Sequence, residues 1–189
     1  MKFILFNNKI LTTPKCGTRY LRLRWSGELF DYNQNTDFSN VKYMIVREPI
    51  EHLKTALHTE FYNHVDIYGY PIDLKIYLDK LILKKEIVHW SCDMYQIIYW
   101  MYIKSNKQIK VTHLSSLTDI MKEEGHIVEY TPSDYTFNDN KNWINKDDFF
   151  NKLLKDYPIQ MQVLLKQSNE QTIIYNKIIN NTTETQSLI

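Results

Sequence analysis

Glycine is scarce: the 189-residue chain has four, together with five prolines. That composition offers little for a flexible linker, and no repeat or low-complexity tract is visible, so the expectation is one continuous domain over 1–189 with a frayed tail from about 180. The chain is long enough to bury a core without staples. The phosphate loop of NTPases, Gly-x-x-x-x-Gly-Lys-Ser/Thr, is missing, which counts against a phosphate-loop kinase. Two cysteines, Cys16 and Cys92, do not make a disulfide framework. A dominant charge is also lacking: 23 basic and 22 acidic residues leave a net charge of +1. No global field then draws the chain to nucleic acid or membrane, and anion recognition must be local. No His, Cys and Asp cluster has metal-ligand spacing. The apolar start, Met1 to Phe6, stops at Asn7-Asn8-Lys9, short of a signal-peptide core or a membrane span; the expectation is a cytoplasmic chain.

What is present begins at Thr12-Thr13-Pro14-Lys15-Cys16-Gly17-Thr18-Arg19. It follows a strand-like apolar run, Phe3 to Leu11, and leads into a short helix over Gly17 to Trp25. Amides at such a junction point outward without helical partners, Gly17 permits close approach of an anion, and Lys15 adds a full positive charge. Cys16 inside this loop reads in two ways, as a thiol with thiolate character or as a small residue filling the turn. A second junction follows. Val41 to Val46 reads as a buried strand, and Arg47-Glu48-Pro49 opens a helix carrying Ile50, Leu53, Leu57 and Phe61, with Pro49 in the first turn where its missing N–H costs nothing. Arg47 and Thr55 can both face the carboxyl edge of a sheet, where open α/β folds bind ligands. Two neighbouring anion sites suit a bis-phosphorylated nucleotide.

These residues resemble the sulfotransferases that use 3′-phosphoadenosine-5′-phosphosulfate (PAPS) as donor. Pro14-Lys15-Cys16-Gly17-Thr18 looks like that family's 5′-phosphosulfate loop. Val46-Arg47-Glu48-Pro49, with Thr55 eight residues after Arg47, looks like its 3′-phosphate motif. Thr55-Ala56-Leu57-His58-Thr59-Glu60-Phe61 and His89-Trp90 are similar to segments of the glycan-directed branch, so the resemblance covers roughly residues 9 to 115. Three positions depart from the pattern: Thr55 replaces Ser, Glu48 replaces Asp or Asn, and His52 stands where a second Arg is common. Thr keeps a hydroxyl for phosphate, whereas histidine is a less constant cation. Animal members of this branch usually carry a membrane anchor, so the resemblance implies a compact microbial or viral version.

The resemblance implies a P-loop-like α/β core, transfer of a sulfuryl group from PAPS to an acceptor hydroxyl on a carbohydrate, and no metal. Lys15, the amides of Cys16, Gly17, Thr18 and Arg19, and the Thr18 hydroxyl would hold the phosphosulfate. Arg47 and Thr55 would hold the 3′-phosphate, with Lys141 in a late basic loop within reach of it. Lys15 would also stabilise charge on the departing nucleotide. The acceptor's base is open among His58, His89, Glu28 and Glu60, each of which also reads as an ordinary structural or solvated side chain. A non-catalytic module that binds nucleotide or glycan is the alternative.

Elsewhere the pattern predicts a polar loop over Gly27 to Asn40, a helix over Asp73 to Lys84 begun by an Asp cap, and strand or buried helix over Tyr95 to Tyr102. It further predicts a strand at Ile109 to Thr112 with His113 at its end, then helices over Ser116 to Glu124, Asp147 to Lys155 and Ile159 to Ile179. Strands alternating with helices predict a parallel sheet with helices on both faces and a helical C-terminal layer.

Overall fold

A computed structural model describes residues 3–22, 25–33, 35–87, 90–125 and 144–186; the side chains of 19, 20, 86, 87 and 182–186 lie outside that description. The architecture is α/β. The apolar run at the start is not one strand but two, β1 (Phe3–Phe6) and β2 (Ile10–Thr12). Asn7 and Asn8 break it at φ 49° and 54°, and the Lys9 N–H donates to the Phe6 carbonyl at 3.0 Å. Asn7 and Asn8 are the central pair of this tight turn within a three-residue connection, and asparagine tolerates positive φ better than most residues. So short a connection can only return the chain antiparallel, and Ile4 faces Thr12 while Phe6 faces Ile10.

After helix α1 (Thr18–Arg22), strand β3 (Gly27–Phe30) pairs antiparallel with β1, where a wholly loop-like segment was expected. Strand β4 (Tyr43–Val46), buried along its whole length, then pairs parallel with β2. The expectation of a parallel sheet is therefore corrected. The five-stranded sheet has the order β3-β1-β2-β4-β7, where β7 is Lys110–His113, and it is mixed because β1 runs against its neighbours.

Helix α2 (Pro49–Tyr68) follows β4. Helix α3 (Leu74–Lys84) is begun, as its sequence predicts, by Asp73, whose carboxylate accepts from the Ile76 N–H at 3.0 Å. A short hairpin, β5 (Glu86–Ile87) and β6 (Trp90–Ser91), leads into α4 (Met94–Lys104), which settles the ambiguous Tyr95 to Tyr102 stretch as buried helix. Helix α5 (Leu117–Glu123) follows β7, and α6 (Lys146–Asp156) and α7 (Pro158–Gln186) form the helical C-terminal part; α7 continues through 180–186, where a frayed tail was expected. No helix among the described residues is long and apolar enough to cross a membrane.

Helices cover both faces of the sheet. Leu11, Met44, Val46 and Val111 pack with Met94, Tyr95, Ile98 and Ile178 of α4 and α7, while Ile4, Phe6, Ile10 and Ile45 pack with Leu21, Leu117 and Met121. A third cluster joins α2, α3, α6 and α7 through Leu53, Leu57, Leu78, Trp90, Phe149 and Leu164.

Gly17 is fixed twice over, by its left-handed φ of 80° and by packing: a Cβ there would stand 2.7 Å from Leu117 Cδ2 and 3.1 Å from Leu114 Cδ1. Gly69, at φ 75°, would meet nothing within 4 Å. Gly17→Ala should cost about 2–3 kcal/mol, backbone strain plus overpacking, and Gly69→Ala about 1 kcal/mol. Chemical denaturation of both variants checks this ordering, and equal losses would contradict it.

Candidate functional site

Strands β2, β4 and β7 run parallel, so their carboxyl ends lie along one edge of the sheet. Register pairs Thr12 with Ile45 and Val46 with His113, which sets three chain exits side by side. The loop after β2 leaves by Thr13 and Pro14. Lys15 then adopts a left-handed φ of 66°, and Gly17 repeats that hand with Cys16 between them on the ordinary side. Alternation of this kind turns successive amides toward one side, as an anion-binding concavity requires. The loop is held from beneath. Thr12 Oγ1 shares its one proton between the carbonyl oxygens of Thr13 and Cys16, at 2.7 and 2.9 Å, and the Cys16 N–H donates to the Thr13 carbonyl at 3.2 Å.

That last bond corrects one expectation: the Cys16 amide closes the turn and is not offered to a ligand. The Cys16 side chain is fully buried, and burial pushes its thiol up against the opposing Arg47 charge and the Thr13 hydroxyl. Cys16 is therefore the turn filler of its two readings. Gly17 and Thr18 stand at the start of α1, and the Arg19 side chain lies outside the described residues, as do His89 and Lys141.

Arg47 leaves β4 at the same edge. Its Nη1 donates to Thr55 Oγ1 at 2.5 Å, and Thr55 Oγ1 donates to the Glu51 carbonyl at 2.8 Å, so the eight-residue spacing does bring the two residues together. Tyr95 donates its hydroxyl to the Arg47 carbonyl and pins the exit from behind. Glu48, read as a departure, is the N-cap of α2: its Oε2 accepts from the Glu51 N–H at 2.8 Å. A carboxylate already fills that helix start, so the group at this exit with the chemistry to hold an anion is the Arg47 guanidinium rather than the helix amides, and Thr55, whose hydroxyl proton goes to the Glu51 carbonyl, orients it. The cap could have been read from an acid three residues before Glu51 at the head of an apolar helix. Nothing in the sequence marks Tyr95.

His52 is fully buried, and its Nε2–H donates to the Pro14 carbonyl at 2.9 Å. It is a structural tie and not a surface cation. His58, two turns further, donates Nε2–H to the Ile144 carbonyl at 2.8 Å and packs its ring 4.8 Å from Tyr62 and 5.7 Å from Phe149, measured between centroids. Burial, with Lys146 and Lys15, holds its imidazole below the ordinary value, while the bond to Ile144 works the other way. Glu60 has its carboxyl raised by burial, against the Lys15 charge. Tyr77, from α3, is close enough for Glu60 to add to the burial that raises its phenol. Lys15, His58 and Glu60 thus form one electrostatic group. His113 lies at the end of β7 beside this edge, with Nδ1 accepting from the Ser115 N–H at 3.1 Å; burial and the Arg47 charge lower its pKa.

Glu28 does not join them. It is exposed on edge strand β3, opposite Leu5, with β1 between it and β2 at a strand spacing of about 4.8 Å. Lys146 and Lys54 clamp Glu51 at 2.7 and 2.8 Å, and they hold its carboxyl below the ordinary value although burial opposes them. Among the described residues no three His, Cys, Asp or Glu side chains come together as a metal site. Set against known proteins, the chain matches no family model, no curated protein and no solved structure.

The raised carboxyl of Glu60 gives a signed prediction. A group that holds its proton more tightly folded than unfolded favours the fold at low pH, and that contribution is lost as pH rises from 4.5 through the raised value. Glu60→Gln should therefore melt above wild type at pH 7, with the difference closing toward pH 4.5. Thermal melts across that range check it; a variant that melts lower at pH 7 would contradict it.

Proposed function

We propose that this chain is a PAPS-dependent sulfotransferase with a P-loop-like core, moving a sulfuryl group to an acceptor hydroxyl, most simply one on a carbohydrate. The observation that carries the reading is the Arg47–Thr55 contact of 2.5 Å at the carboxyl edge, one strand away from the left-handed Lys15 turn. Two basic centres on adjacent parallel strands suit a ligand with phosphate at both its 3′ and 5′ ends. In this reading Arg47, oriented by Thr55, takes the 3′-phosphate, and Lys15 takes the 5′-phosphosulfate with the amides of Gly17 and Thr18.

The reaction is an in-line displacement. The acceptor oxygen forms a bond to sulfur as the bond from sulfur to the bridging phosphate oxygen breaks, and adenosine-3′,5′-bisphosphate leaves. Negative charge grows on that bridging oxygen, so a cation there stabilises the transition state more than the ground state. Lys15 has that role. The proton lost by the acceptor needs a base, and His58 is suited to it. With Nε2–H donated to the Ile144 carbonyl, Nδ1 carries the lone pair in the neutral tautomer, and the lowered pKa favours that neutral form. Glu60, with a raised carboxyl beside Lys15, is the second base within the same group. The non-catalytic reading keeps one specific support: His52, at the position of a second phosphate-binding cation, is buried and bonded to the Pro14 carbonyl instead of standing at the surface.

Calorimetry with adenosine-3′,5′-bisphosphate and with ATP tests the donor site. The bisphosphate should bind at least about tenfold more tightly, the order of one charge-assisted hydrogen bond. An acceptor screen with radiolabelled PAPS should then show transfer that falls about a hundredfold or more in Lys15→Ala. No binding, or equal preference for ATP, would contradict the reading; binding with no transfer to any acceptor would favour the non-catalytic module.

A further inference from the structure

His52 belongs to α2, the helix that follows Arg47, yet its Nε2–H reaches 38 residues back to the Pro14 carbonyl at 2.9 Å. That carbonyl is half of the peptide group joining Pro14 to Lys15. The orientation of this peptide plane sets the φ of Lys15, which is left-handed at 66°. Such a conformation costs a residue with a side chain energy, and it persists only where the surroundings hold it. The far side of the loop is held by its own strand, through the Thr12 hydroxyl on the Cys16 carbonyl and the Cys16 N–H on the Thr13 carbonyl. The near side is held from α2. The same turn of α2 is itself fixed to the Arg47 exit, because the His52 N–H donates to the Glu48 carbonyl at 2.8 Å. His52 is fully buried, so its bond to Pro14 faces no competition from water.

We propose that His52 is a positioning residue that couples the two anion-binding loops: by anchoring the Pro14 carbonyl to the first turns of α2 it holds Lys15 in its left-handed conformation and locks the 5′ half of the site to the 3′ half. This rests on the donor-site reading for its ligands, a nucleotide with phosphate at each end, but not for its geometry. A residue that only filled the core would be replaceable by any side chain of similar volume. One that acts through the hydrogen bond needs a donor at the same reach, and glutamine supplies it.

The test uses the full chain as wild type, His52→Ala and His52→Gln. In the ligand-free protein, amide exchange over residues 13–18 should quicken about tenfold in His52→Ala and return in His52→Gln, with exchange in β4 unchanged, because one buried hydrogen bond is of that order. Adenosine 5′-phosphate should lose about tenfold in affinity in His52→Ala while adenosine 3′-phosphate stays within about twofold, again with recovery in His52→Gln. Unchanged exchange at the loop, an equal rise in β4, equal loss of both nucleotides, or no recovery with glutamine would each overturn the proposal. If wild type binds neither nucleotide, the donor-site reading fails, and the exchange data still decide the role of His52.

Discussion

The parallel pairing of β2 with β4 is the constraint on which the site depends. Three register pairs, Ile10 with Tyr43, Leu11 with Met44 and Thr12 with Ile45, join two strands buried on both faces. A one-residue slip would turn Leu11 and Met44 away from α4 and α7 and expose the wrong sets on both sides, so the hydrophobic layers enforce the register. Because the strands run the same way, the Lys15 loop and the Arg47 exit must emerge at one edge, about 4.8 Å apart at their roots. His52, Thr55 and the group of His58 and Glu60 then follow along α2 from that starting point.

The electrostatics of the edge are local, as a chain of net charge +1 requires. Glu48 accepts the Glu51 N–H at the start of α2, and Glu51 is clamped by Lys54 and Lys146, so both acids are engaged within α2 and its neighbours. The two cations that we propose for a ligand, Lys15 and Arg47, stand on backbone that is held by Thr12, His52 and Tyr95. Lys15 acts on both His58 and Glu60, lowering the pKa of each. A base and a cation so coupled respond to one another, and an anion placed on Lys15 would relieve part of that pressure on His58.

Much of the local chemistry was legible in the sequence because it is short-range. The Arg47 to Thr55 spacing, Pro49 at the first turn of α2 and the Asp73 cap each follow from residues within a few positions, and each stands in the structure. The mixed sheet was not legible from apolar pattern alone. Phe3 to Leu11 reads as one run, and only the backbone preference of Asn7-Asn8 for positive φ reveals the hairpin that reverses β1. The partners of His52 and His58 were also hidden. Pro14 lies 38 residues away and Ile144 lies 86 away, and separations of that size are set by tertiary packing, to which periodicity is blind. The place of Glu28 was hidden for the same reason: it follows the loop in sequence, but β3 pairs on the far side of β1.

The most direct measurement is a cycle in which the ligand's 3′-phosphate and the Arg47 side chain are removed separately and together. Calorimetric affinities of adenosine-3′,5′-bisphosphate and adenosine 5′-phosphate for wild type and Arg47→Ala supply its four corners. The account predicts strong non-additivity: the bisphosphate loses about tenfold or more on Arg47→Ala, and the monophosphate stays within about twofold, since charge-assisted contacts to phosphate contribute on that scale. Equal losses for the two ligands would contradict it, because Arg47 would then have no special relation to the 3′-phosphate.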